Sequence, residues 1–300
     1  MAEPARFFAL RHTAVLAFRG PEAAHFLQGQ LSADVGQLLP TRMQLAGLHN
    51  PQGRVIALLR LLQREPGEIL ALLPRELALP VTEQLRRYVL RAKVQILDAS
   101  AEFQLLGIES EASAAASAAL GGMPLIQETQ SARAYALLPA AMAIDPARVH
   151  ENRLVWERLE LSAGIPHLGA ATSGQFIAQM LNLDLLHAIS FTKGCYTGQE
   201  VIARAHYRGR VKRRLQRFIA PSERTLPPAS SWRLSDGRRA QIVRALPTPD
   251  QRMEFLAVAP LPSASGTSEE EVAGSEAGQL ECTGLPLPYA LPEAPGGGST

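Results

Sequence analysis

The sequence predicts an α+β protein that ends in an all-β domain. Two observations predict it. Up to about residue 210, short apolar runs with strand character alternate with segments of 3.6-residue apolar period. From 211 onward that period disappears, and short strands are separated by turn residues, the pattern of a small barrel or sandwich. The expected division is a mixed region over 1–210 and a β-barrel domain over 211–300.

Three hundred residues suit about two domains. A hydrophobic fraction of 46% and a charged fraction of 19% are those of a globular chain. With aromatics at only 5%, the core must rest on Leu, Ile, Val and Ala.

The elements follow in order. Phe7 to Leu10 and Val15 to Phe18 read as strands split by Arg11-His12-Thr13. Gly20-Pro21 opens a helix over Glu22 to Leu31, with Phe26, Leu27 and Leu31 facing inward. Leu45 to Leu48 and Val55 to Leu62 flank Asn50-Pro51-Gln52-Gly53, a hairpin signal. Ile69 to Leu73 is a further strand. Val81, Leu85, Tyr88 and Val89 keep a helical period before Lys93. Val94 to Leu97 and Phe103 to Ile108 return to strand.

Ser113 to Ala119 is a small-residue helix or a connector. Tyr135 to Leu138 is a strand. Asn152 to Leu161 is a helix carrying Trp156, stopped by Ala163-Gly164-Ile165-Pro166. Ile177 to Leu183 is amphipathic. In the last domain, Val211 to Ala220, Trp232 to Leu234, Ala240 to Leu246, Met253 to Ala259 and Gln279 to Leu285 read as strands. Residues 263–278, rich in Ser, Gly and Glu, read as a flexible loop. Gly296-Gly297-Gly298 reads as a frayed tail.

Charge and composition exclude several function classes. A net charge of +2 implies no strong nucleic-acid field. Two cysteines, Cys195 and Cys282, make no disulfide framework and suit a reducing compartment. Met1 to Arg11 lacks the apolar core of a secretory signal, and no run of about 18 apolar residues exists. The expected location is the cytoplasm, with no membrane partner. His12, His25, His49 and His150 show no metal spacing with either cysteine, so no metal site is expected.

The most informative segment is Lys193-Gly194-Cys195-Tyr196-Thr197-Gly198-Gln199-Glu200. A reactive-type residue lies between glycines, which let a ligand approach the backbone closely. Thr197 is placed to cap a helix over Gly198 to His206, with Glu200 in its first turn. Lys193 and the helix end would both lower the Cys195 thiol pKa. The plain alternative is a tight turn into a surface helix with an ordinary small cysteine. Asp34 suits a turn cap or a ligand channel. Trp156 suits a core position or a ligand platform. Arg204, Arg208, Arg210, Lys212, Arg213, Arg214 and Arg217 form the densest basic cluster. It is either a solvated face or a grip for anionic groups; with only Tyr207 and Phe218 nearby, RNA stacking there is poorly supported.

The octapeptide resembles the signature of the YgfZ-type folate-binding proteins, relatives of the glycine-cleavage T-protein aminomethyltransferases. The likeness extends to Phe26-Leu27-Gln28-Gly29-Gln30-Leu31-Ser32-Ala33-Asp34-Val35 and to Asn50-Pro51-Gln52-Gly53-Arg54. It also takes in Tyr88 with Lys93-Val94, Ala163-Gly164-Ile165-Pro166, Ser173-Gly174-Gln175-Phe176-Ile177 and Leu285-Pro286-Leu287-Pro288-Tyr289, the last as a terminal strand. It thus covers almost the whole chain.

The resemblance implies a cloverleaf: two α+β lobes within 1–210 and the C-terminal barrel, around a central channel that holds folate. It implies a cofactor, tetrahydrofolate or another reduced folate, and a role in supporting iron–sulfur enzymes, including tRNA-modifying ones. Lys193, Gly194, Tyr196, Gly198, Gln199, Glu200, Arg204, Ser162, Trp156 and Asp34 are the expected folate contacts, with Cys195 as a functional thiol. Expected partners are folate and iron–sulfur client or assembly proteins. A single thiolate implies no permanently bound cluster.

Two departures from the family pattern bear on function. The transferases carry an acidic pair shortly after the hairpin glycine; here Gly53 is followed by Arg54-Val55-Ile56-Ala57, with no acid. One-carbon transfer needs a group that manages protons, and a guanidinium stays protonated. Relatives often have Glu-Ala-Gly before Ile-Pro; here the triplet is Ser162-Ala163-Gly164. Three function classes stand: a folate-binding accessory protein, a folate-dependent aminomethyltransferase, and a tRNA-binding or tRNA-modifying protein.

Overall fold

The computed structural model describes residues 5–109, 113–128, 133–208, 211–221, 224–262 and 276–292. The loop expected at 263–278 lies outside them through residue 275, as do Arg210 and the tail at Gly296 to Gly298. The chain divides into two compact units. One comprises Met1–Leu48, Ala57–Trp156 and His187–Thr197; the other comprises His49–Ile56, Glu157–Leu186 and Gly198–Thr300.

Ten strands make up the larger sheet: β1 (Arg6–Ala9), β2 (Thr13–Arg19), β3 (Arg42–His49), β4 (Val55–Glu65), β5 (Glu68–Pro74), β6 (Gln95–Asp98), β7 (Phe103–Glu109), β8 (Ile126–Glu128), β9 (Arg133–Pro139) and β10 (Val149–His150). Their order is β10-β1-β7-β9-β8-β3-β4-β5-β2-β6. β2 pairs antiparallel with β5 from Thr13 opposite Pro74 to Arg19 opposite Glu68. β7 pairs antiparallel with β9 along its whole length. β1 pairs parallel with β10, and β3 with β8. Two of these strands, β8 and β10, were not expected.

Helix α1 (Ala23–Gln30) buries Ala23, Phe26 and Leu27, the spacing that predicts it. Helix α2 (Arg75–Val89) begins six residues before Val81 and carries Pro80 inside. Buried Leu77 and Ala78 hold this N-terminal stretch although Pro80 supplies no N–H. Tyr88, expected to share the inward face, is exposed instead. Helix α3 (Ser113–Ala119) occupies the small-residue segment.

Helix α4 (Arg153–Ser162) carries Trp156, which is 1% exposed. Its ring meets Phe8 and Tyr135 at centroid distances of 5.7 and 5.4 Å. A Cβ added at Gly107 would lie 2.6 Å from it, so glycine makes room for the indole. Nearby, the buried Glu128 carboxylate is held by Arg60 at 2.9 Å and Arg133 at 2.6 Å. A carboxylate so enclosed is costly to bury without such partners.

The second unit contains a six-stranded sheet of β11 (Arg213–Pro221), β12 (Ser231–Leu234), β13 (Arg239–Pro247), β14 (Arg252–Pro260), β15 (Glu276–Leu280) and β16 (Thr283–Leu285), ordered β15-β12-β13-β14-β11-β16. β11 and β14 pair antiparallel over nine positions. Phe218, Trp232, Ile242 and Phe255 form its core, with Phe218 and Phe255 stacked at 5.3 Å. The expected last strand is split: Cys282 lies between β15 and β16, and Pro286 to Tyr289 form no strand. The amphipathic stretch at 177–183 is a 3-10 turn, Ala178–Leu181, ended by Asn182 in the left-handed region. Helix α5 (Gln199–Tyr207) belongs to this unit.

Among the described residues, no helix is long and apolar enough to cross a membrane.

Candidate functional site

The residues from Lys193 to Thr197 lie in the first unit. The Lys193 ammonium donates to three backbone carbonyls: Gln28 at 2.5 Å, Leu31 at 2.6 Å and Ala33 at 3.0 Å. These close the C-terminal end of α1, where carbonyls have no partner within the helix and the dipole favours a cation. Lys193 is therefore an anchor whose donors are all engaged within the chain. Burial pulls its pKa down to about 8, and the charge of Asp34 works in the opposite direction.

Asp34 takes the turn-cap role. Its carboxylate accepts from the Gly36 N–H at 3.1 Å, from Gln28 Nε2 at 2.9 Å and from Gln37 Nε2 at 3.1 Å. Gln28 Oε1 in turn accepts the Val35 N–H at 2.7 Å. Ser32, which sequence reasoning did not single out, is fully buried. Its hydroxyl donates to the Ala188 carbonyl at 2.6 Å and accepts from the Gly47 N–H at 2.9 Å. The Ser190 N–H donates to its carbonyl at 2.8 Å. The segment Phe26 to Val35 is thus the seat on which residues 188–193 rest.

Tyr196 is buried, with Lys193 Nζ 5.0 Å from its ring centroid. Burial pushes its hydroxyl pKa up to about 12. Between these two held residues, Gly194 and Cys195 are exposed.

From Gly198 onward the octapeptide belongs to the second unit. Gly198, not Thr197, is the N-cap of α5, with φ +81° and no side-chain cap bond. Glycine is required there: an added Cβ would lie 2.6 Å from the Asn50 carbonyl oxygen and 3.0 Å from Gly53 Cα. The tight approach faces the expected turn, in which the Gly53 N–H donates to the Asn50 carbonyl at 2.9 Å. Asn50 Oδ1 accepts the Arg54 N–H at 2.9 Å. Gln199 is half-buried; Glu200 and Arg204 are exposed.

The same turn is stitched to residues 173–177. Arg54 Nη1 donates to the Gln175 carbonyl at 2.6 Å, and the Val55 N–H donates to the Phe176 carbonyl at 2.8 Å. The Ser173 hydroxyl donates to the Ile56 carbonyl at 2.8 Å. Farther along, the Tyr289 hydroxyl donates to the Gly164 carbonyl at 2.8 Å. Gly164 has φ +68°, and a Cβ there would lie 2.7 Å from the Leu287 side chain.

Ser162 Oγ turns back to the Arg158 carbonyl of its own helix. In the basic cluster, Arg214 forms a two-pronged pair with Asp184 at 2.6 and 3.0 Å and is nearly buried. Arg217 bonds Glu254 at 2.6 Å, and Arg213 bonds the Val258 carbonyl at 2.9 Å. These three are structural. Among the described residues, no group of three or more His, Cys, Asp or Glu comes together as a metal site.

No family model matches the chain. It is 36% identical to the tRNA-modifying protein YgfZ of Edwardsiella ictaluri, over 72% of this chain and 74% of that one. It is 30% identical to the tRNA-modifying protein YgfZ of Yersinia enterocolitica, over 97% and 94% of the two chains. Among solved structures, the glycine cleavage system aminomethyltransferase T of Bartonella henselae superposes with a TM-score of 0.69 at 17% identity, covering 86% of this chain and 78% of that one. The last likeness shows a shared fold. The identity of 30% over nearly the full length, with that of 36% over almost three quarters of the chain, places the chain in the YgfZ family.

Proposed function

We propose that the protein is a folate-binding accessory factor that supports iron–sulfur enzymes, among them enzymes that modify tRNA. Cys195 is its working thiol. Membership of a family whose members are named tRNA-modifying proteins, and a fold shared with a glycine-cleavage aminomethyltransferase, support this reading.

One observation carries it. Cys195 is exposed while Lys193 and Tyr196, two before it and one after, are held in place. A cysteine kept for packing is usually buried. Here the backbone is fastened on both sides and the sulfur faces out, which suits transient capture or exchange. A lone thiolate does not hold a cluster, which normally takes four Cys ligands.

The residues fit a reduced folate in chemical kind, with a changed division of labour. Lys193, Asp34 and Ser162 have their polar atoms engaged within the chain, and Trp156 is core. Glu200 and Arg204, both on α5 of the second unit, are open. A carboxylate such as Glu200 can accept from the N–H edge of a pterin, and Arg204 can pair with the carboxylates of the glutamate tail. Glu200 thereby supplies the acid that Ser162 lacks. A bound reduced folate supplies amines able to carry one-carbon units. Arg54 is tied to the Gln175 carbonyl, and a guanidinium offers no base for aminomethyl transfer.

Two measurements test the reading. Titration of the purified protein with tetrahydrofolate should show saturable binding that Glu200→Gln weakens and Ser162→Glu does not restore. In cells lacking the native family member, Cys195→Ser should fold and bind folate yet fail to support iron–sulfur enzyme activity. Absence of folate binding, or full complementation by the serine variant, would overturn the respective half.

A further inference from the structure

Residues 86–93 read Arg-Arg-Tyr-Val-Leu-Arg-Ala-Lys, four cations in eight residues with no acid among them. They form the last turn of α2 and the turn that follows it, all in the first unit. Arg86, Arg87, Arg91 and Lys93 are exposed. So are Tyr88, at 43%, and Leu90, at 89%. Cations complement the C-terminal end of a helix, which accounts for Arg86 and Arg87. It does not account for Arg91 and Lys93 beyond that end. Nor does the core account for Tyr88 and Leu90, because α2 already seats Leu77, Ala78, Val81 and Leu85 there.

Leu90 adds an independent observation. Its backbone has φ +41° and ψ −99°, a strained region for a residue with a Cβ. The turn is braced in that shape. Arg86 Nη2 donates to the Ile96 carbonyl at 3.1 Å, and the Ala92 N–H donates to the Val89 carbonyl at 2.7 Å. The Lys93 N–H donates to the Glu22 carboxylate at 2.6 Å. A Cβ at Gly20 would collide with the Lys93 carbonyl, so the turn lies tight against that glycine. The result is an exposed leucine and tyrosine set among four cations on a held turn.

We propose that this tip is a docking surface for RNA. Arg87, Arg91 and Lys93 meet phosphates, and Tyr88 and Leu90 meet an unstacked base. Guanidinium forks match phosphate oxygens, and an aromatic beside cations suits bases splayed from a loop or single strand. A bilayer fits less well. The apolar face of α2 is already used, leaving two side chains to insert, whereas interfacial helices sink a whole apolar face. The segment 204–217 is the poorer candidate, because Arg213, Arg214 and Arg217 serve Val258, Asp184 and Glu254. Glu22 is committed to the Lys93 N–H, and Glu83 lies a turn back on α2. The inference stands apart from the folate reading, since none of its residues is a proposed folate contact.

The test is fluorescence anisotropy of the full chain with a labelled RNA hairpin, in 50 to 200 mM KCl, beside vesicles of phosphatidylcholine and phosphatidylserine. Wild type should bind the hairpin, with affinity falling steeply as salt rises. Arg87→Glu/Arg91→Glu should weaken binding about tenfold or more and flatten the salt slope, as expected when phosphate contacts are lost. Arg208→Glu/Lys212→Glu should bind within about twofold of wild type, because it leaves the tip intact. Leu90→Gly, which relieves the backbone strain, should keep or raise the melting temperature while weakening binding. The proposal is overturned if wild type fails to bind the hairpin at 50 mM KCl. It is equally overturned if the Arg208/Lys212 pair abolishes binding while the Arg87/Arg91 pair retains it, or if vesicles bind and RNA does not.

Discussion

Gly198 and Asn50 approach so closely that a single methyl group on the glycine would stand 2.6 Å from the asparagine carbonyl oxygen. The contact joins the two most recognisable motifs of the second unit, the end of the octapeptide and the turn at 50–53. Gly198 also sits at φ +81°, where a side chain is strained whatever the space. Gly198→Ala meets both obstacles and should destabilise the protein by about 2 kcal/mol or more. Gly194→Ala is the matched control. That glycine has open space around its Cβ position, so its substitution should fall within about 0.5 kcal/mol of wild type. Urea unfolding of the two variants decides; equal midpoints would show that the approach at Gly198 relaxes freely.

The Tyr289 hydroxyl ties the chain's last described segment to the stop signal after α4. It donates to the Gly164 carbonyl at 2.8 Å and accepts from Asn182 Nδ2 at 3.3 Å. Desolvation pushes its pKa up to about 12, as burial of a phenol requires. Tyr289→Phe keeps the ring and removes only these bonds. The expected loss is about 1 kcal/mol, read from the shift in urea midpoint. No measurable shift would mean that water replaces both partners.

Arg214 and Asp184 make one of the buried ion pairs of the second unit, with side chains 7% and 12% exposed. Arg214 also donates to the Gln179 carbonyl at 2.9 Å. Asp184→Ala strands a guanidinium with little water to receive it. Breaking one side of such a pair costs about 3–5 kcal/mol. Asp184→Ala/Arg214→Met should recover much of that loss, because the charge leaves with its partner. If the double variant is no more stable than the single, the pair contributes chiefly through its backbone bond to Gln179.

What the sequence could disclose depended on how local the cause was. Alternating or apolar strand runs such as Phe103 to Ile108 announce themselves, and Asn50 to Gly53 announce a turn. β8 and β10 are too short, at three and two residues, to carry a period. Pro80 masked the true start of α2, and Tyr88 continued a periodicity that the structure uses only through Leu85. Thr197 looked like a cap because its residue type fits. The left-handed backbone at Gly198 takes that place instead, a choice set by the approach of Asn50. The anchoring of Lys193 was out of reach, since its acceptors lie about 160 residues earlier. The octapeptide was visible as a motif; which of its residues hold it in place was not.

Lys193 gives the clearest pH signature. Its ammonium closes the end of α1 through the Gln28, Leu31 and Ala33 carbonyls. Lys193→Met keeps the length and leaves those acceptors without their donor. A loss of about 1–3 kcal/mol at pH 7 follows from unsatisfied buried carbonyls. The pH dependence has a fixed sign. The folded pKa, about 8, lies below the ordinary value of 10.5 because burial penalises the charge. Between those values the unfolded chain holds a proton that the folded chain has released. Stability therefore rises with pH across the window and is flat in this respect below it. Methionine does not titrate, and the remaining groups are common to both proteins. The stability difference between wild type and Lys193→Met should thus widen from pH 8 toward pH 10. Urea unfolding at half-unit steps of pH measures it. A difference that stays constant, or narrows, would mean that the three carbonyls and Asp34 hold the ammonium charged throughout the range.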